Sequence, residues 1–150
     1  MDLILWRHAE AANGANDLAR KLTLRGEMQA SSVAAWLLAR IPEKVLILSS
    51  PAVRTCQTAA ALGRPFDVEE RLAPGRSPGD LIAATGWPNP DITTIVVGHQ
   101  PTLGRVAARL LADVDDGWSV RKGSVWWFTT YDPEEGAAPA LRCVMTPDLL

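Results

Sequence analysis

The sequence predicts an α/β fold, a three-layer α/β/α sandwich with a mostly parallel central sheet and an antiparallel pair of strands at its C-terminal end. Residues 3–6 and 45–48 are wholly apolar, and residues 92–97 are rich in β-branched side chains. Runs of this kind are typical of strands buried on both faces. Helical patterns alternate with these runs, which predicts a sheet covered by helices on both sides.

The first helix is predicted from Thr23 to a stop at Pro42. Between positions 30 and 41 apolar residues recur every three or four positions, which gives a helix one apolar face. This helix is expected to cover one face of the sheet. Residues 11–21 have no clear period and are predicted to form a surface loop over the end of the first strand.

A second helix is predicted over residues 51–62, directly after the second strand. Ser50 is a residue type that commonly caps helices, Pro51 suits the first helical position, and Gly63 suits the end. Arg54 then lies in the first turn, where free N–H groups and the helix dipole favour an anion. Arg54 is therefore a candidate phosphate ligand, although an isolated arginine is more often a solvated surface residue.

The second half of the chain is predicted to repeat the strand and helix pattern and to end in antiparallel strands. Ser77 and Asp80 have the spacing of a capping box at the start of a helix. The other predicted elements are a short edge element at 68–72, a helix that reaches about residue 112, and strands at 124–130 and 140–145 around an acidic turn at 132–139.

Composition predicts one globular domain, residues 1–150. The chain is 47% hydrophobic and 21% charged, and no apolar run approaches the ~20 residues of a membrane span. The net charge is −2 and the basic residues are scattered, so we expect no nucleic-acid or membrane surface. The N-terminus lacks the basic region of a secretory signal, which predicts a cytoplasmic location. We expect a monomer or a weak dimer.

The cysteines and histidines predict neither a metal nor a cofactor. Cys56 and Cys143 are far apart and outside any Cys/His cluster, so both are predicted to be reduced and buried. The chain has two histidines, and neither has a carboxylate or a cysteine at ligand spacing, which makes a poor zinc site.

Polar residues follow all three predicted parallel strands. Arg7 and His8 follow the first strand, Arg54 lies in the helix after the second, and His99 follows the third. Such residues meet at the carboxyl edge of an α/β sheet. One histidine beside a strand is more often a packed residue than a catalyst. Here both histidines of the chain take this position beside phosphate-suited neighbours, which favours a catalytic site.

These residues resemble the histidine phosphatase superfamily, which has a phosphoglycerate-mutase-like fold, over nearly the whole chain. Four motifs carry the resemblance in order: Arg-His-Ala at 7–9 for the family's Arg-His-Gly, Leu-Thr-x-x-Gly at 22–26, Ser-Pro-x-x-Arg-x-x-Gln-Thr-Ala at 50–59 and Gly-His-x-Pro at 98–101. The small size and the short loop after the second motif are most similar to SixA-type phosphohistidine phosphatases.

The resemblance implies that His8 is the nucleophile that takes the phosphoryl group and that Arg7, Arg54 and His99 hold its oxygens. The expected substrate-binding residues are Arg7, Arg54, Ser50, Gly98 and Gln100. This agrees with chemistry, because a neutral imidazole can attack phosphorus in line while fixed cations, rather than a metal, meet the charge on the oxygens. The planar fork of arginine suits two oxygens and stays charged.

The general acid cannot be assigned from the sequence. Gln100 stands where phytase-like members of the family carry an Asp, and no insertion offers the Glu of the mutase-like members. Glu10, Glu70 and Asp80 are the candidates, with surface charge or helix capping as alternative roles. An imidazole of pKa ~6.5 leaves far more readily than an alkoxide, so a site without a strong acid favours a P–N substrate. Ala9, where the family has glycine, disfavours a positive φ.

The expected function is removal of phosphate from phosphohistidine on a protein, in signal transduction. The alternatives are a phosphomonoesterase for a small molecule, such as a sugar or nucleotide phosphate, and a non-catalytic phosphate-binding module. A protein substrate needs a docking surface, and adjacent residues Trp126 and Trp127 face opposite sides of a strand, so that one is a candidate for exposure. Burial of one by the core and of the other by a helix is the commoner arrangement.

Overall fold

A six-stranded mixed sheet lies at the centre of the computed structural model, which describes residues 1–89, 91–130 and 138–150. Its strands are β1 (Asp2–Arg7), β2 (Val45–Ser49), β3 (Asp67–Val68), β4 (Thr93–Gly98), β5 (Val125–Thr129) and β6 (Ala140–Met145). Their order is β3-β2-β4-β1-β5-β6. The first four in this order are parallel, whereas β5 and β6 are antiparallel to their neighbours. The predicted mostly parallel sheet with a C-terminal antiparallel pair is confirmed.

Helices cover both faces of this sheet. They are α1 (Leu24–Leu38) and α2 (Val53–Ala60) on one face, and α3 (Pro78–Thr85) and α4 (Thr102–Ala112) on the other. Side chains alternate along β1 between the two faces, as strand geometry requires. Ile4 and Trp6 belong to the apolar cluster of α1 and α2, whereas Leu3 and Leu5 belong to that of α3 and α4. The predicted three-layer sandwich is confirmed.

The first helix is shorter than its apolar pattern predicted. Thr23 precedes α1 and caps it, because its hydroxyl accepts a hydrogen bond from the Gly26 N–H at 3.0 Å. The helix ends at Leu38, before the predicted stop at Pro42. Ile41 is nevertheless buried in the same apolar cluster. The apolar period therefore continues into the turn after the helix, which made the prediction too long.

The second helix begins at Val53, two residues after the predicted start at Pro51. The hydroxyl of Ser50 accepts the N–H of Ala52 at 3.2 Å, and Ala52 is extended with φ −63° and ψ 143°. Ser50 therefore holds a turn before the helix instead of capping its first turn. Arg54 is the second residue of α2 and keeps its predicted place near the helix N-terminus.

The remaining predictions differ in detail. Of the predicted edge element, only Val68 lies in a strand, β3, and Glu70–Leu72 form a turn of 3₁₀ helix. The capping box is confirmed: the Ser77 hydroxyl accepts from the Asp80 N–H at 3.1 Å, and the Asp80 carboxylate accepts from the Ser77 N–H at 3.2 Å. The acidic turn predicted at 132–139 lies outside the described residues except for its last two positions.

The two cysteines are free thiols, as predicted, but both are half-buried rather than buried. Cys56 lies on α2, and Cys143 lies on the edge strand β6. Each cysteine is partly exposed to solvent, and the residue type alone did not reveal this exposure.

Trp126 and Trp127 are covered from opposite faces of β5. Trp127 is buried against Trp36 of α1 with the rings edge to face, 6.0 Å between centroids, and its indole N–H donates to the Asp2 carboxylate at 2.8 Å. Trp126 is half-buried beside Trp118, with centroids 6.3 Å apart. Trp127 is therefore covered by a helix, whereas Trp126 is neither fully exposed nor fully buried and lies between the two arrangements that the sequence left open.

Three parallel strands end side by side at one edge of the sheet. Arg7 at the end of β1 lies opposite Gly98 at the end of β4. The N–H of Ser50, directly after β2, donates to a carbonyl oxygen of β4 at 3.1 Å. His8 and His99 are the next residues after β1 and β4, so the pairing brings both to the same edge.

Candidate active site

His8 is fixed at the end of β1 with one ring nitrogen free. Its backbone N–H donates to the Gly98 carbonyl at 3.2 Å, and its Nδ1 lies 2.7 Å from the Ala9 carbonyl oxygen. A carbonyl oxygen only accepts hydrogen bonds, so Nδ1 carries the proton and Nε2 keeps its lone pair in the neutral ring. The side chain is only 6% exposed. This tautomer is the one that a nucleophilic Nε2 requires.

Ala9 is held by the second helix. Its N–H donates to the Thr58 hydroxyl at 3.1 Å, and this hydroxyl donates in turn to the Arg54 carbonyl at 2.8 Å. The only described non-glycine residue with a positive φ is Asp113, so Ala9 keeps a negative φ as the sequence predicted. The residue that orients the His8 ring is thus anchored on the helix that carries Arg54.

His99 lies against His8, with ring centroids 5.3 Å apart and planes tilted by 53°. Its Nδ1 is 3.3 Å from Nη2 of Arg54, and its Nε2 is 2.7 Å from the Ser50 hydroxyl oxygen. A guanidinium only donates, so Nδ1 of the neutral ring is the acceptor and Nε2–H donates to Ser50. Ser50 was predicted to bind substrate, but it is fully buried and holds the second histidine instead.

Burial keeps both imidazoles neutral. Desolvation lowers the pKa of His8 from 6.5 to about 4; the charges of Arg54, Arg7 and Lys122 lower it too, and the bond to Ala9 opposes them. Desolvation, followed by the charge of Arg54, lowers the pKa of His99 to about 3. The unfolded chain therefore takes up protons first as the pH falls, so the free energy of unfolding decreases from about pH 6.5 towards pH 3.

The first prediction concerns these pKa values. The chain has two histidines, so nuclear magnetic resonance can follow each imidazole without overlap. In the free protein we expect neither ring to titrate between about pH 8 and pH 5, where an unperturbed histidine changes charge. Orthovanadate should raise both pKa values, because a bound anion favours the protonated rings. A midpoint near that of a free imidazole in the protein without vanadate would contradict the prediction.

Arg54 is buried and oriented by a residue of the loop at 11–21. Its exposed fraction is 4%. Nη1 donates to the Asp17 carbonyl at 2.7 Å, and Nη2 donates to the Asp17 carboxylate at 3.1 Å and to His99. Its Nε–H is buried and has no acceptor among the described residues. The guanidinium is therefore fixed in direction and retains a buried donor for an anion.

Arg7, which directly precedes His8, is held in a similar way although it is only half-buried. Its Nη1 donates to the Val120 carbonyl at 2.8 Å, and its buried Nε–H has no acceptor in the described part of the chain. Burial and the charge of Arg54 lower the pKa of Arg7 from its ordinary value. The two guanidinium groups can bind a phosphoryl group through its oxygens, and the lone pair on Nε2 of His8 is the group that can attack phosphorus.

Asp17 is a site residue that the sequence did not predict. It lies in a turn of 3₁₀ helix within the loop, where Arg20 donates to its carboxylate at 3.0 Å. The hydrogen bonds from Arg20 and Arg54 lower the pKa of Asp17, so the carboxyl is ionised and is no source of a proton. The only sequence signal was the three-residue spacing of an acid and an arginine, which is too common to identify a site.

None of the three carboxyl groups that the sequence offered as a general acid contacts a histidine among the described residues. The Glu10 carboxylate accepts from the Thr23 hydroxyl at 2.9 Å and lies 3.7 Å from Arg25, at the N-terminus of α1. Asp80 belongs to the capping box of α3. Glu70 is exposed, and no described contact joins it to either histidine. The structure therefore assigns no carboxyl group as a general acid within the described residues.

Gly98 and Gln100 flank the second histidine and shape the backbone. The Gly98 carbonyl accepts from the His8 N–H, as above. The Gln100 side chain accepts from the Gly104 N–H at 2.7 Å and donates to the Trp118 carbonyl at 2.8 Å, so both of its polar ends are used within the protein. The expected contacts of these two residues with substrate remain predictions.

Within residues 1–89, 91–130 and 138–150, no three His, Cys, Asp or Glu side chains come together so that they could hold a metal ion. No helix in the same ranges has both the length and the apolar character to cross a membrane.

The chain is similar to phosphatases in both sequence and structure. A model of the histidine phosphatase superfamily (branch 1) matches residues 3–75. An uncharacterized protein of Picosynechococcus sp. is 38% identical over 117 residues, which cover 71% of each chain. An uncharacterized protein of Mycobacterium tuberculosis is 38% identical over 106 residues, which cover 67% of this chain and 66% of that protein.

Solved structures extend the similarity over almost the whole chain. A Nakamurella multipartitia protein assigned as a phosphohistidine phosphatase SixA is 28% identical, with TM-score 0.78 and coverage of 97% of this chain and 95% of that one. The protein histidine phosphatase SixA in complex with tungstate is 24% identical, with TM-score 0.82 and 99% of both chains covered. A phosphoserine phosphatase of Entamoeba histolytica is 18% identical, with TM-score 0.76 and 99% of each chain covered.

Proposed function

We propose that this chain, which belongs to the histidine phosphatase superfamily (branch 1), hydrolyses phosphorylated substrates through a phosphohistidine formed on His8. The observation that carries the proposal is the tautomer of His8. Its Nδ1–H is committed to the Ala9 carbonyl, and Nε2 keeps its lone pair in a buried ring between two arginines and a second histidine.

The proposed reaction has two steps. In the first, Nε2 of His8 attacks phosphorus, the N–P bond forms, and the bond to the leaving group breaks with its electron pair on that group. The charge on the three remaining oxygens is met by Arg7 and Arg54, which are already oriented. His99 contributes by accepting from Nη2 of Arg54, which helps to hold that guanidinium in place. In the second step water attacks phosphorus, the electron pair of the N–P bond returns to Nε2, and inorganic phosphate leaves with both protons of the water on its oxygens.

The substrate that this chemistry favours is phosphohistidine on a protein. An imidazole protonated at its second nitrogen departs neutral, so it needs no proton from the enzyme, whereas an alkoxide does. Asp17 is ionised, and the other candidate carboxyl groups are engaged elsewhere or have no contact with the site. The similarity to the Nakamurella multipartitia protein supports the same substrate class.

A small phosphorylated molecule is the second candidate. The observation in its favour is a polar cavity of about 440 Å³ beside Arg7, a volume in the range of small-molecule sites. A phosphate-binding module without turnover is the third possibility and is distinguished by the same experiment.

The test compares a histidine-phosphorylated protein with an aryl phosphate in excess chelator. We expect phosphate release from both, with kcat/KM at least about tenfold higher for the phosphoprotein, because its leaving group is better. Turnover of the aryl ester alone would keep the phosphatase but reject the phosphohistidine substrate. Binding of phosphate without any turnover would reject catalysis, and loss of activity in chelator would reject the metal-independent mechanism.

A further inference from the structure

The cavity beside Arg7 is cationic, and Arg7 directly precedes the proposed nucleophile His8. Its volume is about 440 Å³, and the side chains that line it include Arg7, Arg25, Gln29, Arg121, Lys122 and Asp148. Four of these are cations and one is an anion. The chain as a whole has a net charge of −2, so this concentration of positive charge is local.

The cations around this cavity are not accounted for by packing. The side chains of Arg25 and Arg121 are 77% and 74% exposed, and their ion pairs are long, at 3.7 Å to Glu10 and 3.8 Å to Asp148. Pairs of this length between exposed groups contribute little to stability. The cationic side chains therefore remain available to a ligand that enters the cavity.

The cavity and the proposed catalytic site meet at Arg7. Arg7 belongs to both, because it lines the cavity and directly precedes His8. The segment that carries Arg121 and Lys122 is tied to the end of β1: the Gly123 N–H donates to the carbonyls of Arg7 and His8 at 3.1 and 3.0 Å. The Gly123 carbonyl also accepts from the indole N–H of buried Trp6 at 3.0 Å.

The backbone of this segment is held in place at the end of β1. Gly123 has φ +74°, a conformation that favours glycine, and it is buried. The charge of Lys122 also acts on His8, since it is among the causes that lower the pKa of that histidine. Basic side chains carried on a fixed backbone near the nucleophile suit an anionic group on the substrate.

We propose that this cavity binds a second anionic group of the substrate, a carboxylate or a phosphate on the leaving group, while the phosphoryl group to be transferred lies on His8. The proposal rests on the proposed function and names the substrate class more closely. The anion has two possible sources, an acidic side chain beside a phosphohistidine or a charged group of a small ester. The chemistry of recognition is the same for both, because arginine and lysine bind either anion.

Binding of two non-hydrolysable ligands tests the cavity without any turnover. Calorimetry on the protein would compare phenylphosphonate with 3-carboxyphenylphosphonate, which differ only in the second anion. We expect the carboxylated ligand to bind about tenfold more tightly, as one charge-assisted contact would give. Because phosphonates are not hydrolysed, this result stands or falls separately from catalysis.

Substitutions at the cavity should change the ratio of the two dissociation constants in opposite directions. The double substitution Arg25→Gln with Arg121→Gln should bring the ratio close to one. Asp148→Asn should increase the ratio, because Asp148 is the only acidic residue among the described residues that line the cavity. Arg109→Gln, an exposed arginine on α4 outside the cavity, is the control and should keep the parent ratio. Equal binding of the two ligands by the parent protein, or a ratio that the double substitution leaves unchanged, would overturn the proposal.

Turnover distinguishes the two sources of the anion. One pair of substrates is a phosphohistidine peptide with flanking glutamates and the same peptide with glutamines, and the other is phenyl phosphate and 3-carboxyphenyl phosphate. A preference for the acidic peptide alone supports a protein side chain, and a preference for the carboxylated ester alone supports a small molecule. If no substrate is turned over but the phosphonate ratio holds, the proposed function fails and the anion site stands. Turnover without a preference in either pair would overturn the anion site and leave the phosphatase.

Discussion

Replacing His8 with alanine is expected to lower kcat for an aryl phosphate by at least about 10⁴-fold, because the substitution removes the only atom proposed to bond to phosphorus. The cations remain in place, so binding of the anion should persist. Gly98 still accepts from the backbone N–H at position 8, and the ring is not needed to pair β1 with β4. We therefore expect a folded protein that binds vanadate and does not turn over.

The matched control is the other histidine. His99→Ala should also reduce turnover, but it leaves the nucleophile, so an acid-labile, alkali-stable phosphoenzyme should still form from a labelled aryl phosphate. His8→Ala should form none. Phosphoenzyme in His8→Ala, or its absence from the parent and from His99→Ala alike, would contradict the covalent mechanism. The vanadate affinity of each variant shows whether the anion-binding site is intact. A variant that binds vanadate but does not turn over has lost the reaction step and not the site.

The convergence of the two histidines could be predicted because it depends on the strands. Apolar runs set the parallel strands, their carboxyl ends share one edge, and His8 and His99 follow two of these ends directly. The place of Arg54 was predictable for a similar reason. Ser50 and Pro51 indicate that a helix begins directly after the second strand, which puts Arg54 in its first turn. Apolar patterns that repeat along the chain, or that stop abruptly, therefore predict where the strands end and which residues follow them.

The contacts that orient the site could not be predicted, because they join segments that have no pattern. Asp17 lies in a loop without a period and contacts Arg54, which is 37 residues away along the chain. Ser50 stands before a proline as a helix-capping residue would, yet its hydroxyl lies against His99. Gln100 occupies the position of an acid in related families and instead holds a backbone turn. In each case a long-range partner, not local propensity, decides where the side chain points.

The predicted end of the first helix was wrong for a related reason. Buried Ile41 continues the apolar period of α1 beyond its last turn, so the pattern marks what is buried and not what is helical. The same limit applies to the cationic cavity. Arg25 and Arg121 lie on different elements, and scattered basic residues in the sequence give no sign that the fold brings some of them together.

Arg54→Lys should lower kcat/KM by about 10²–10³-fold even though the formal charge is kept, which is the scale of losing an oriented donor to a developing oxyanion. The N–H groups of Arg54 point in three directions. Nη1 donates to the Asp17 carbonyl, and Nη2 donates to the Asp17 carboxylate and to His99. The Nε–H has no acceptor among the described residues. One ammonium group cannot reach all of them. A lysine at this buried position is also desolvated, which lowers its pKa and weakens the charge.

The measurement is kcat/KM for an aryl phosphate together with the dissociation constant of vanadate, with a thermal melt to establish that the variant is folded. Arg105→Lys is the control, because this arginine pairs with Asp115 on the surface of α4 and should tolerate lysine. A folded Arg54→Lys that keeps kcat/KM within about threefold of the parent would mean that Arg54 acts as a charge alone. Orientation by Asp17 would then have no part in catalysis. The expected loss would instead make the loop at 11–21 part of the catalytic machinery, since Asp17 is the residue through which that loop fixes the guanidinium.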